Sequence, residues 1–448
     1  AWDTANYFSP IATTDASGAY TISALPAGTS YVVQIMGSLP DGNGLDYATA
    51  AGGASPTLAQ AGHFAVNAGA TTTVNVQFSL ALNNSFLSVG SSGPVLDVVN
   101  ATGTAVGAPV SFFAATATAI AGVPIDVDGD GMKEYAVVAQ RADGLIMCQV
   151  RRTDGTLVKA FYVANSTQAS VLNVYAAQMD ANPGEELVVG KVRSTDNRPV
   201  VSVYNPNTGS KVLETFMFNQ NWTAKKFFPV DVNGDGIKEV ALGAVKANGL
   251  APAFIPPNRP GVQIRYTDGT IASYVFPLTK NYTSVRFGRM DRNGDGIDEI
   301  VALGLNANGR WTVQVLDATT SASLSLNVIL NTPYTPVRLL TGNVDGVAGD
   351  EVVIGGTLTS NGRAVVDVRN GTSNARIKLL YMQTAASAPD QFALGDWDGD
   401  GVQEVIVRAT NSSTGAPSYM VKKPDNTLVF NGMPASITGT GDRFTGNM

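Results

Sequence analysis

Residues 126–138 read DVDGDGMKEYAVV, which sets Asp126, Asp128, Asp130 and Glu134 immediately ahead of an apolar run. The stretch returns five more times: QMDANPGEELVVG from Gln178, DVNGDGIKEVALG from Asp231, DRNGDGIDEIVALG from Asp291, NVDGVAGDEVVIGG from Asn343 and DWDGDGVQEVIVR from Asp396. The shared glutamates, Glu134, Glu186, Glu239, Glu299, Glu351 and Glu404, lie 52, 53, 60, 52 and 53 residues apart. Self-similarity at this period marks a repeat architecture, and four strands in about 50 residues is the size of a propeller blade.

Between successive copies lies a second unit, two β-rich runs joined by a turn of Asp, Asn, Gly and Thr, as in CQVRRTDGTLVKAFYV and VQIRYTDGTIASYVF. Such a unit reads as a hairpin. A strand enters each acidic stretch (KKFFPV, SVRFGRM) and another leaves it (EVALGA, EIVALG), so one unit holds four strands. There are seven hairpins but six acidic stretches, and a ring resolves the mismatch. SFLSVG at 85–90 resembles a leaving strand with no acidic stretch before it, and ASITGTGDRFTGNM at 435–448 resembles an entering strand with nothing after it. Paired, they complete a seventh blade and remove the free edge. The expected fold is all-β: a seven-bladed β-propeller over 83–448, closed by pairing of its two ends.

Counted from Asp126 as position one, side-chain oxygens fall at positions one, three, five and nine, and position seven offers a main-chain carbonyl. Hard cations require alternating oxygens of this kind, and Ca²⁺ accepts the six or more irregular ligands such a loop supplies. The expected metal ligands are Asp126, Asp128, Asp130, Met132 and Glu134 in loop one. Loop three offers Asp231, Asn233, Asp235, Ile237 and Glu239, and loop four offers Asp291, Asn293, Asp295, Ile297 and Glu299. Loop six offers Asp396, Asp398, Asp400, Val402 and Glu404. Without an ion the crowded carboxylates repel one another. Loop two (Gln178, Asp180, Asn182, Glu186) and loop five (Asn343, Asp345, Val347, Glu351) are degraded, and they are expected to be empty or weak. The helix-loop-helix calcium hand places its last acid at position twelve before a helix; here it stands at nine before a strand.

Residues 85–448 resemble the FG-GAP repeats of the integrin α-type β-propeller, whose calcium loops have the form D-x-[DN]-x-D-G-x-x-[DE]. The resemblance implies calcium at the four complete loops and a platform for binding or assembly more often than a catalyst. Residues 1–82 resemble a carboxypeptidase regulatory-like β-sandwich, with TDASGAYTISALPAGTSYVVQI as the recognisable part. Such domains usually have a strand upstream of the one that begins at Ala1, so the sandwich is expected to be trimmed, disordered there, or completed by another molecule.

Composition sets the function classes. Of 448 residues 44% are hydrophobic and only 15% charged, a profile of secreted β-rich proteins. The formal charge of −7, with basic residues no denser than the pairs Arg151-Arg152 and Lys225-Lys226, points away from nucleic acid. Four calcium ions would move that charge to about +1. No apolar run reaches membrane-spanning length, and AWDTANYF lacks the regions of a signal peptide, so an extracellular mature form is expected. His63 is the single histidine and no Ser/His/Asp set, Cys/His pair or zinc cluster can be assembled; the lone Cys148 sits in an apolar strand and reads as a buried, inert thiol. The expectation is therefore an extracellular, non-catalytic, calcium-stabilised scaffold or adhesion protein, alone or as a subunit of a surface assembly or filament, with a protein or glycan partner. The alternatives are a lectin-like propeller using Trp222, Trp311 or Trp397, and a carboxylate-dependent polysaccharide-active enzyme.

Overall fold

The computed structural model describes residues 84–88, 93–129, 132–247, 258–329, 334–434 and 442–447, with short stretches before them. Contacts divide the chain into two compact units, the smaller built mainly from Ala1–Ala81 and the larger from Leu82–Gly129 and Lys133–Met448. In the smaller unit Gly28–Tyr31 pairs antiparallel with Phe64–Val66, while Gln34–Met36, Leu45–Ala48 and Ala54–Ser55 form a three-stranded sheet. The opening strand of the expected β-sandwich and His63 lie outside the described residues.

The larger unit is a seven-bladed β-propeller of four-stranded antiparallel sheets, with no helix among the described residues. The first strand of each blade neighbours the first strand of the next: Thr118–Ile125, Ala169–Ala177, Trp222–Val230, Thr283–Met290, Tyr334–Gly342, Ser387–Gly395 and Asp442–Asn447, which returns to Thr118–Ile125. These seven strands therefore line the axis of a closed ring. The seventh blade is built from both ends of the repeat region, with Asp442 opposite Ser88, Phe444 opposite Phe86 and Asn447 opposite Asn84. The shared blade read from the hairpin count is thus present.

Each second strand begins at the motif's glutamate. Glu134–Gln140, Glu186–Arg193, Glu239–Lys246, Glu299–Leu305, Glu351–Leu358 and Glu404–Asn411 are all buried over their first six residues. Both faces of these strands are covered by neighbouring blades, so they read as continuous apolar runs instead of alternating ones. Packing between blades uses a repeated socket. A Cβ on Gly190, Gly243 or Gly355 would lie 2.1, 2.3 or 2.5 Å from the ring of Phe227, Phe287 or Phe392 on the next blade's first strand. Only a missing side chain admits those rings. The closing blade is sealed differently, by Phe86 edge-on to Trp397, Tyr419 and Phe444 at 6.0, 5.1 and 5.7 Å.

Candidate metal centres

All six loops join the first strand of a blade to its second, and all are built on one frame. The glutamate at position nine is buried, and its Oε2 accepts the main-chain N–H of position two: Val127 (3.2 Å), Met179 (3.0 Å), Val232 (3.0 Å), Arg292 (3.0 Å), Val344 (3.2 Å) and Trp397 (2.7 Å). Burial pushes the carboxyls of Glu186, Glu239, Glu351 and Glu404 up to about 7, with that hydrogen bond opposing the shift. Glu299 is raised for the same reason.

The loops are also linked to one another. The N–H of position eight donates to the carbonyl of position one in the preceding loop: Glu185 to Asp126, Lys238 to Gln178 (2.7 Å), Asp298 to Asp231 (2.7 Å), Asp350 to Asp291 (2.6 Å) and Gln403 to Asn343 (3.0 Å). Where position eight is acidic, its carboxylate accepts the N–H of that same residue, as Glu185 does from Asp126 (2.9 Å), Asp298 from Asp231 (2.7 Å) and Asp350 from Asp291 (3.0 Å). The result is a belt across one face of the ring. At the closing blade, which has no such loop, Asn84 Nδ2 donates to the Trp397 carbonyl (3.2 Å) and Trp397 Nε1 donates to the Ala101 carbonyl (2.8 Å).

The interiors of the loops differ. In loops three, four and six the aspartate at position one accepts through both oxygens from the glycine N–H groups at four and six. The distances are 2.7 and 2.9 Å at Asp231, 2.7 and 2.8 Å at Asp291, and 2.8 Å for both at Asp396. Asp126 accepts from Gly129 at 2.7 Å. In loops three, four and six the Oδ1 that accepts from position four takes a second N–H, from Asn233 (3.3 Å), Asp295 (3.1 Å) or Asp400 (3.1 Å). The carboxylates at three and five, Asp128, Asp235, Asp295, Asp398 and Asp400, stand exposed at the rim. In loops three and four Asn233 and Asn293 donate to Asp235 and Asp295, both at 2.9 Å. Asp130 lies outside the described residues.

In loops two and five an amide leads instead. Gln178 Nε2 donates to the Asp180 carbonyl (2.6 Å) and to that of Asn182, and Asn343 Nδ2 donates to the Val347 carbonyl (2.9 Å). An amide therefore stands where the complete loops carry a carboxylate, and it turns an N–H into the loop. Position seven in these loops is Gly184 or Gly349, at φ of 95° and 106°, a left-handed backbone that β-carbons resist. A Cβ there would sit 2.7 Å from the Val127 carbonyl oxygen or 2.6 Å from that of Arg292.

Loop six gathers the densest acidic set. One oxygen from each of Asp396, Asp398 and Glu404 lies within 4.8 Å of the others, the one such group among the described residues. Glu404 is fully buried and its Oε1 has no hydrogen-bond partner. A buried carboxylate oxygen that accepts no hydrogen bond is costly; the Lys423 ammonium stands 3.6 Å from it, and a cation at this cluster would meet it at closer range, so the residues fit a hard metal ion. The structure also supplies tethered cations. Lys423, just after the strand Pro417–Lys422, reaches Asp398 at 2.9 Å and Glu404 at 3.6 Å and bonds Asp400. Lys238 approaches Asp231 at 3.3 Å, and Arg292 approaches Glu299 at 3.3 Å. These contacts and the loop N–H groups offset the repulsion expected among the crowded carboxylates.

Outside the loops, Cys148 is fully buried and its thiol is pushed far up by that burial. Trp222 and Trp311 are buried, Trp222 stacked on Phe218 at 4.2 Å, and Trp397 is fully enclosed. The tryptophans weighed as sugar platforms are thus packing residues.

Fold and loops together define a seven-bladed β-propeller with an acidic loop belt on one face. Among solved structures the chain is similar to the BP39L lectin from Burkholderia pseudomallei, at 12% identity and a TM-score of 0.52, over 81% of this chain and 97% of that one. It is also similar to the periplasmic gluconolactonase PpgL of Pseudomonas aeruginosa, at 13% identity and a TM-score of 0.46, over 81% and 99% of the two chains. A third likeness is to the exotype rhamnogalacturonan lyase YesX, at 15% identity and a TM-score of 0.40, over 80% and 77%. At these identities what is shared is the fold alone. No family model matches the chain, and no curated protein matches it.

Proposed function

We propose that this chain is an extracellular, non-catalytic binding scaffold whose propeller is rigidified by calcium held in the acidic loops, with a protein or a glycan as its partner. The observation that carries the reading is loop six, where Asp396, Asp398 and Glu404 converge around a buried carboxylate oxygen that lacks a donor. Asp396, Asp398, Asp400, Glu404 and the carbonyl of Val402 would hold the ion there. Loops one, three and four repeat the set through Asp126, Asp128, Asp130, Met132 and Glu134; Asp231, Asn233, Asp235, Ile237 and Glu239; and Asp291, Asn293, Asp295, Ile297 and Glu299. The bound ion would neutralise the loop carboxylates and fix the turn.

The belt gives such an ion leverage. Ordering one loop also orders its neighbour, because position one of that loop accepts the next blade's main chain. Extracellular modules bind Ca²⁺ with dissociation constants of roughly 10⁻⁴ to 10⁻³ M, and at about ten times that concentration each site adds on the order of 1.4 kcal/mol. The loop carboxylates are engaged by main-chain N–H groups and tethered cations, which supports a structural use over a catalytic one. Calorimetric titration of metal-free protein with calcium tests the reading; an absence of saturable heat would overturn it.

A further inference from the structure

On the end of the first strands away from the loops, the ring carries a half-open cavity of about 870 Å³. The loops lie where Val230 pairs with Glu239, and the cavity opens where Trp222 pairs with Lys246. Its walls come mainly from five successive first strands, from Leu172 to Phe392, with Val245 and Lys246 added from one second strand, and none of its described lining residues is Asp or Glu. Five are cationic: Lys225, Lys226, Lys246, Arg286 and Arg338.

The cations are placed by the repeat itself. In each of these strands the register slips just before one residue: Asn173 pairs with Gly190, Lys226 with Gly243, Arg286 with Leu303, Arg338 with Gly355 and Gln391 with Arg408. The five residues are therefore equivalent, one per blade, in a single layer around the axis. A bulge re-aims the side chains beside it. Three of the five positions, on three consecutive blades, carry a positive charge.

Layer members with a visible structural task bond the next blade. Asn173 exchanges two hydrogen bonds with the main chain of Phe227 (2.8 and 3.0 Å), Gln391 pairs likewise with Phe444, and Arg286 Nε donates to the Val337 carbonyl (2.8 Å). Lys226 and Arg338 make no such bond, and neither they nor Lys225 has an ion-pair partner among the described residues. The acid on the neighbouring first strand, Asp390, is taken by Arg408 and by Arg443 at 3.6 Å. The Lys226 side chain stays solvent-exposed within the cavity, and the protein around it, with the guanidinium groups of Arg338 and Arg289 adding to the effect, pushes its ammonium below the usual lysine range. Like charges stacked in one layer oppose folding, and in a chain of net charge −7 they do not belong to a generally basic surface. A cavity of this size with converging polar groups is the form of a small-ligand site.

We propose that the cavity binds a small polyanion, whose carboxylate, sulfate or phosphate groups meet Lys226, Arg286 and Arg338 from the axis of the ring, with Lys225 flanking them. Guanidinium groups pair with such oxyanions through two parallel hydrogen bonds, and lysine acts as a point charge beside them. The proposal does not depend on calcium in the loops.

Isothermal titration of the intact protein in calcium-containing buffer of low ionic strength tests it, with sucrose octasulfate, sucrose and inorganic sulfate as probes. The octasulfate is expected to bind saturably, at least a hundredfold more tightly than inorganic sulfate, and to weaken as salt rises, while sucrose gives no heat. The variants R338Q and K226Q are each expected to lower octasulfate affinity at least tenfold with no loss of melting temperature. Equal affinity for octasulfate and inorganic sulfate, or unchanged octasulfate binding in both variants, would overturn the proposal.

Discussion

Loops five and six lie on adjacent blades and share a frame, yet their interiors are opposite in chemistry. In both, the glutamate at nine holds the N–H of position two, at 3.2 Å for Glu351 and 2.7 Å for Glu404. The two loops are even joined, Gln403 donating to the Asn343 carbonyl at 3.0 Å. Inside loop five, however, an amide N–H of Asn343 meets the Val347 carbonyl, whereas loop six turns Asp396, Asp398 and Glu404 toward one point. The repeated stretch thus has two separable layers. The glutamate fixes the turn in every loop, the position-eight link joins each loop to the next, and the aspartates add clustered carboxylates only in some.

The largest effect is expected at the glycine special to the amide-led loops. Gly349→Ala places a Cβ against the Arg292 carbonyl oxygen at a positive φ, and it is expected to cost about 3 kcal/mol in denaturant unfolding. The second test separates the layers. Glu351→Ala leaves the Val344 N–H unpaired in a buried site and should cost about 2 kcal/mol, while Glu351→Gln keeps an acceptor and should cost far less. Glu404→Gln likewise keeps the frame; in metal-free buffer it should melt close to wild type, and in calcium it should lose part of the stabilisation that Glu351→Gln retains.

A third, smaller effect concerns pH. The folded carboxyl of Glu351 lies at about 7, above its ordinary 4.5, so the folded chain binds that proton more tightly than the unfolded one. Its contribution to stability is full below pH 4.5 and is lost as pH rises through 7. Glu351→Gln should flatten the decline in melting temperature across that window, measured in metal-free buffer. The smallest effect is expected at Lys423, a partly exposed tethered cation. Lys423→Gln should tighten calcium binding at loop six by less than tenfold, read by calorimetry, and leave the other loops unchanged.

Much of this was legible in the chain because blade period, hairpin count and the unmatched ends SFLSVG and DRFTGNM are residue patterns. The seventh blade, with Phe444 opposite Phe86, follows from them. The belt was not legible, since its links from Glu185, Lys238, Asp298, Asp350 and Gln403 run through main-chain N–H groups, which any of those side chains permits. Lys423 escaped notice because its partners Asp398 and Asp400 lie across a blade. The basic cavity was missed for a related reason: Lys226, Arg286 and Arg338 are remote in sequence, and only alignment in the frame of the repeat brings them to one layer. Among the sequence-expected ligands, position-one aspartates and position-nine glutamates also serve as hydrogen-bond hubs, a dual use that a spacing pattern does not reveal.

We propose that the acidic loops hold calcium and that the ion stabilises the ring. Thermal melting of the wild-type protein in millimolar calcium and in excess EDTA tests it most directly, with Glu351→Gln and Glu404→Gln alongside. A lower melting temperature in EDTA is expected for wild type and Glu351→Gln, and a smaller difference for Glu404→Gln. Identical wild-type melting in calcium and in EDTA would contradict it.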